Sequence, residues 1–213
     1  PQTLADIDML GYKHVVVSSI NIFPTDEHEV LKKIIDGFKN FSLANISFTN
    51  ALLTKAKDTT AFLKDLNEQI SKEDTANLYV IHGTPKLDTV GIDSINYTSS
   101  FLELISEKNF TCSLEGAFPY FEINDVIKAK IEKIGLKKVQ IVPLLLVSGN
   151  HYIKDMFEIN EDLSSLFESS IVSSLTKSEQ FNLIQLPMIE KIIEKNIQES
   201  FKMMGISHKE ITY

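Results

Sequence analysis

The stretch KKVQIVPLLLVSGNHYIKDM, residues 137–156, decides how the chain is read. Residues 139–147 are apolar apart from Gln140 and Pro143. A run that short, closed by the turn residues Ser148, Gly149 and Asn150, has the pattern of a strand buried on both faces of a parallel sheet. A helix start follows, and His151 stands where the two meet. In open α/β sheets, ligands collect outside the carboxyl ends of the strands. A histidine there, with Gly149 letting a ligand approach the backbone, is a candidate for chemistry, although a loop histidine with no task has the same local sequence.

Downstream, residues 155–175 have the spacing of one or two helices and FNLIQL, residues 181–186, that of a last strand. Pro187 opens a long final helix to about residue 204. Upstream, residues 119–134 read as a helix stopped by Gly135, and residues 110–114 as a strand closing on Glu115-Gly116. A helix over 92–107 precedes them, and before it a brief strand over 78–81 ends at once in His82-Gly83-Thr84-Pro85. The polar segment SKEDTAN, residues 71–77, marks a boundary. Ahead of it lie helices over 1–10, 25–38 and 58–71 and strands over 13–22 and 45–48.

Strand–helix alternation of this kind predicts parallel sheets with right-handed crossovers. The expected fold is therefore α/β, with two Rossmann-like domains. The first, residues 1–72, has only two strands and begins with a helix, so its opening strand is expected ahead of Pro1, leaving an apolar sheet edge. The C-terminal helix within 187–213 is expected to pack back on this unit. The second domain, residues 73–186, is expected to hold four strands and the site.

Composition narrows the function classes. The chain has 213 residues, 43% of them hydrophobic and 23% charged, which supports a substantial core. The net charge of −8, with no lysine-rich block to offset it, argues against nucleic acid or an anionic membrane as partner. One cysteine, Cys112, excludes an intrachain disulfide and a cysteine-rich zinc site, and its alternation with Leu114 marks it as a small buried hydrophobe. No apolar run approaches the ~20 residues that span a bilayer. A cytoplasmic protein is the default expectation, although the first residue is Pro1 rather than Met.

Three strands of the second unit end alike, in His82-Gly83, in Glu115-Gly116 and in Gly149-Asn150-His151. Parallel strands put all three tips on one sheet edge, and a 2-1-3 order sets the His82 strand between the other two. Two imidazoles and a carboxylate suit a divalent transition metal such as cobalt, iron, nickel or zinc. Glu115 equally suits a helix cap, and His82 a hydrogen-bonded core histidine. His14, His28 and His208 stand in surface-like contexts. Lys86 and Lys154 flank the expected crevice and are also ordinary solvated lysines.

These residues resemble a family. LLLVSGNHYIKDM, residues 144–156, is similar to the Leu-Val-Ala-Gly-Asp-His…Asn-Asp-Met signature of the anaerobic sirohydrochlorin cobaltochelatases, which are class II tetrapyrrole chelatases. Glu115-Gly116 with Pro119 and Glu122 resembles their Val-Glu-Gly-Tyr-Pro segment, and His82-Gly83-Thr84 their His-Gly-Thr strand end. GYKHVVVSSINIFPTDEHE, residues 11–29, resembles the family's second strand and the helix after it.

The resemblance implies the two-domain chelatase fold, with a tetrapyrrole in the cleft between domains. It also implies insertion of cobalt(II), as substrate metal, into sirohydrochlorin or precorrin-2 during cobalamin synthesis. On that pattern His82, Glu115 and His151 match the metal-binding and proton-handling positions; because such a macrocycle is heavily carboxylated, Lys86 and Lys154, which flank the crevice, are the substrate-binding candidates, with Gly149. No organic cofactor is implied, and a homo-oligomer is compatible. Iron or nickel insertion, or a non-catalytic metal- or tetrapyrrole-binding protein, would use the same ligand types. The chain departs from the pattern at Asn150, where aspartate is usual, and in one extra residue between Gly116 and Pro119. It departs again at Asn21, where relatives often carry histidine, and some 60 family residues have no counterpart ahead of Pro1.

Overall fold

A computed structural model of the chain describes residues 1–147, 149–176 and 180–206, apart from the side chains of residues 150–153. In order, the elements are α1 (Gln2–Met9), β1 (His14–Val17), α2 (Asp26–Lys39), β2 (Asn45–Phe48), α3 (Ala56–Ile70), β3 (Thr75–Thr84) and α4 (Ile92–Ile105). They continue with β4 (Asn109–Gly116), α5 (Tyr120–Lys133), β5 (Lys138–Leu144), α6 (Asn150–Ser164), β6 (Glu168–Ile171) and α7 (Pro187–Met203). All strands pair in parallel, in two sheets ordered β1-β2 and β4-β3-β5-β6. The chain is α/β, and β3 lies between β4 and β5.

Strand periodicity explains the second sheet. Ala76, Leu78 and Val80 of β3 face one apolar cluster, with Val139 and Ile141 of β5 and Phe110 and Cys112 of β4. Helices α5 and α6 cover that face through Ile127, Ile131, Met156 and Ile159. The alternate residues Tyr79, Ile81, Val142 and Leu144 face the other cluster, under α3, α4 and α7. β3 and β5 are thus apolar on both faces, as the middle of a sheet between two helical layers requires. Helix α3 belongs to this packing: Phe62, Leu63, Leu66 and Ile70 are all buried on the second sheet. Helix α7 also reaches β1, β2 and α3, with Lys195 Nζ 2.6 Å from Asp58 Oδ2 and a further pair between Lys55 and Glu199.

β3 begins earlier than the expected 78–81 because its polar residues are satisfied inside the sheet. Asn77 pairs in register with both Asn109 and Gln140. Asn77 Nδ2 donates to Asn109 Oδ1 at 2.8 Å, and Gln140 Nε2 donates to Asn77 Oδ1 at 2.6 Å and to the Ile70 carbonyl at 2.7 Å. A one-residue slip would break the bonds that link these three buried amides, so this ladder favours the observed register.

Other expected elements differ. The strand expected over 139–147 is β5, which stops at Leu144. The strand expected over 13–22 stops at Val17, because β2 offers only four paired residues. The helical stretch expected over 155–175 is instead α6, capped early at Gly149, followed by β6. The strand expected over 181–186 is a 3-10 turn at Leu183–Gln185. Its Phe181 and Leu183 are buried as a strand's would be, but only the Leu183 and Ile184 N–H groups bond back, to the carbonyls of Leu145 and Leu146. Among the described residues β1 has β2 as its only strand neighbour, and Val15, Val16 and Val17 are half-buried. No helix of the described residues is long and apolar enough to cross a membrane.

Candidate metal centre

β3 and β4 end together, with Gly83 opposite Glu115 and Thr84 opposite Gly116. Both glycines have left-handed backbones, φ +85° at Gly83 and +80° at Gly116. A Cβ on Gly83 would lie 2.0 Å from the Glu115 carbonyl oxygen, and one on Gly116 would lie 1.6 Å from that of Thr84. Only glycine permits this approach. Its result is that His82 and Glu115 stand side by side, Nδ1 to Oε1 at 3.5 Å, with their side chains 45% and 47% exposed. A pair that open to solvent contributes only ~0–1 kcal/mol, so stability does not account for its construction. An imidazole nitrogen and a carboxylate oxygen at this spacing are two ligands offered to one cation.

His151 is the second residue of α6, beyond the carboxyl end of β5, which flanks β3 on the side away from β4. Its side chain lies outside the described residues. Among those described, no group of three or more His, Cys, Asp or Glu forms a metal cage. Gly149 caps α6 at φ −91°, and a Cβ there would meet open space, so it is not conformationally required as Gly83 and Gly116 are.

A cleft of about 410 Å³ opens beside His82 and Gly83, within the ~300–1,000 Å³ range of small-molecule sites. One wall is the segment after β1, including Ile20, Asn21, Phe23, Thr25 and Glu27; the other is residues 144–147 and Gly149. The cleft is mainly apolar. Ile20 and Val147 are 51% and 56% exposed at its mouth, which suits a flat organic ring better than a small ion.

Neither lysine assigned to the substrate lines this cleft. Lys86 Nζ lies 3.9 Å from Asp26 Oδ2, and Lys154 Nζ lies 4.0 Å from Glu158 Oε1. Both pairs are largely exposed, the second being an i,i+4 pair within α6. Glu27, which was missed, does line the cleft and accepts the Thr25 hydroxyl at 3.0 Å. Its only sequence signal was an acidic first helical turn, which reads as dipole compensation.

His28 is not on the surface, as expected, but 5% exposed, its ring 4.9 Å from that of Phe48. Burial pushes it below the ordinary imidazole range; Glu29 opposes this, and Lys32 adds to it. His14 is exposed, and His208 lies outside the described residues. Cys112 is buried and its thiol pushed up by burial, which makes it inert.

A parallel α/β sheet with an imidazole and a carboxylate at its carboxyl edge, beside an apolar cleft, is the architecture of a class II chelatase. The family model for the cobalt chelatase CbiK matches residues 1–194, and the chain belongs to that family. SirB from Bacillus subtilis with Fe3+ is similar in structure, with a TM-score of 0.65 at 14% identity, over 95% of this chain and 77% of that one. The sirohydrochlorin chelatase SirB from Bacillus subtilis subspecies spizizenii in complex with cobalt is also similar, with a TM-score of 0.59 at 12% identity, over 91% and 72%. At such identities the likeness is one of fold. No curated protein matches the chain.

Proposed function

We propose that this protein inserts cobalt(II) into sirohydrochlorin, or into precorrin-2, on the route to cobalamin. The observation that carries the reading is the His82–Glu115 pair, held open to solvent by two glycines at the edge of an apolar cleft. His82, Glu115 and His151 hold the entering metal through exchangeable N and O ligands. The imidazoles must be unprotonated to ligate, so metal capture weakens in acid. Insertion releases two pyrrole protons as the metal takes their place. Glu115 beside the metal and Glu27 on the opposite wall are the acceptors. No organic cofactor takes part. The cleft lies between the proposed units 1–72 and 73–186, and the reaction is placed in the cytoplasm.

The direct test is an absorbance time course with sirohydrochlorin and cobalt(II), iron(II) or nickel(II). Wild type should convert the macrocycle fastest with cobalt. His82→Ala should abolish insertion, and Glu115→Gln should slow it at least ~10²-fold, the lower range for a lost general base. Circular dichroism confirms the fold of each variant. Equal rates in folded variants would remove these residues from the mechanism. One observation favours a second reading, a tetrapyrrole binder without turnover: the described cleft lining holds Glu27 and no lysine. Tight binding with no insertion of any of the three metals would establish it.

A further inference from the structure

The 21 basic residues of this chain are all lysine; it has no arginine. The described cleft residues include no lysine, and the side-chain donors among them are His82, Thr25 and Asn21. Thr25 spends its hydroxyl proton on Glu27. Asn21 is differently placed.

Behind the cleft wall Ser19 is 1% exposed. Its hydroxyl donates to Asn21 Oδ1 at 3.2 Å and accepts the Asn21 backbone N–H at 3.3 Å. Its remaining lone pair faces His28 Nδ1 at 2.8 Å. A serine has one proton to give and two lone pairs. With the proton given to Asn21, His28 must present Nδ1–H to Ser19. In this arrangement the hydrogen bonding of Ser19 is closed, with the Oδ1 end of the Asn21 amide turned toward it. The Oδ1 end is then engaged by Ser19. The Nδ2 end has no protein acceptor among the described residues.

We propose that Asn21 is a substrate-binding residue, its Nδ2 donating to a peripheral carboxylate of the tetrapyrrole, and that Ser19 and His28 are positioning residues that hold its amide in that sense. The inference rests on the reading of the cleft as the tetrapyrrole site. With no lysine among the described lining residues, one oriented amide decides which macrocycle edge lies against the β1 wall.

The test is titration of sirohydrochlorin by fluorescence quenching against wild type, Asn21→Asp, Asn21→Ala, Ser19→Ala and the double alanine variant. Asn21→Asp replaces the donor with a charge that repels the carboxylate. It should raise Kd about tenfold or more, the loss appearing chiefly in KM. With the octamethyl ester of sirohydrochlorin, which carries no charge, the penalty should fall below about threefold. Ser19→Ala should weaken binding by about threefold in the wild-type background and not at all on Asn21→Ala. That non-additivity is one a merely structural role would not produce. Additive losses, or an Asn21→Asp variant that binds the free acid within twofold of a wild type that binds it, overturn the proposal. If Asn21→Asp fails to fold, the alanine cycle decides alone. A wild type that does not bind sirohydrochlorin overturns the tetrapyrrole reading, and this inference with it.

Discussion

The two sheets use similar strand sequences and end up in different physical situations. Val15, Val16 and Val17 of β1 are only half-buried, whereas β3 is buried without a break from Thr75 to Ile81. The difference is coverage. β3 has a strand on each side and helices on both faces, while β1 has one strand neighbour among the described residues. The second sheet is thus a rigid platform, and it carries the side chains that need placement to fractions of an ångström. The first sheet contributes a wall through the loop that follows it. Precision and exposure are divided between them.

The largest expected effect is at the strand tips. Gly116→Ala forces a Cβ into the Thr84 carbonyl at φ +80°, and should cost more than about 3 kcal/mol or prevent folding. Gly149→Ala, at the other wall of the cleft, should cost less than about 1 kcal/mol, because its Cβ meets open space. Urea midpoints compare them, and equal losses would break the distinction between a glycine demanded by backbone approach and one that is not.

Next come the two cores. Leu78→Ala empties a site with no exposure and should cost ~2–5 kcal/mol. Val16→Ala on half-buried β1 should cost under about 1.5 kcal/mol. If Val16→Ala proves as damaging, the first sheet is covered in solution by more than the described residues provide.

An intermediate effect sits on the outer layer of the second sheet. Burial alone would raise the Asp162 carboxyl, but hydrogen bonds from Lys128, Tyr120 and Asn124 overrule it, and the net shift is below the usual carboxylate value. A carboxyl depressed by folding stabilises above its unfolded pKa and loses that contribution as pH falls through the folded one. The stability gap between wild type and Asp162→Asn should therefore be open at pH 7 and shrink steadily below pH 4. A gap that stays constant down to pH 2 would show that the pairing is not electrostatic.

The smallest effect expected is at Lys86. Its 3.9 Å pair with Asp26 is largely exposed, so Lys86→Ala should change stability by less than about 0.5 kcal/mol. A shift of several degrees in melting temperature would instead mark this pair as a clasp between α2 and the loop after β3.

The sequence by itself determined the strands that matter. Glycines after His82 and Glu115 marked where β3 and β4 end, and parallel pairing followed from the intervening helices, although the apolar run before Gly149 extends past the end of β5 at Leu144. Those two facts were enough to bring His82 and Glu115 to one edge, because parallel strands share a direction. Other features were decided by tertiary structure alone. β6, ESSI, is polar and helical in its spacing, and becomes a strand only because Lys138–Ile141 offers it a ladder. FNLIQL has strand composition but finds only two carbonyls beyond β5, so it turns. Glu27 and Asn21 reach the cleft because the loop after β1 folds over the neighbouring sheet, a contact that no local periodicity encodes. Lys86 lies near Asp26, whose proximity depends on the fold, whereas Lys154 pairs with Glu158 one helical turn on. Local pattern records which groups a residue must hide from water, and so it reveals the buried strands. The partners of an exposed side chain are set by which distant surfaces meet, and for Glu27, Asn21 and Lys86 only the folded chain decided that.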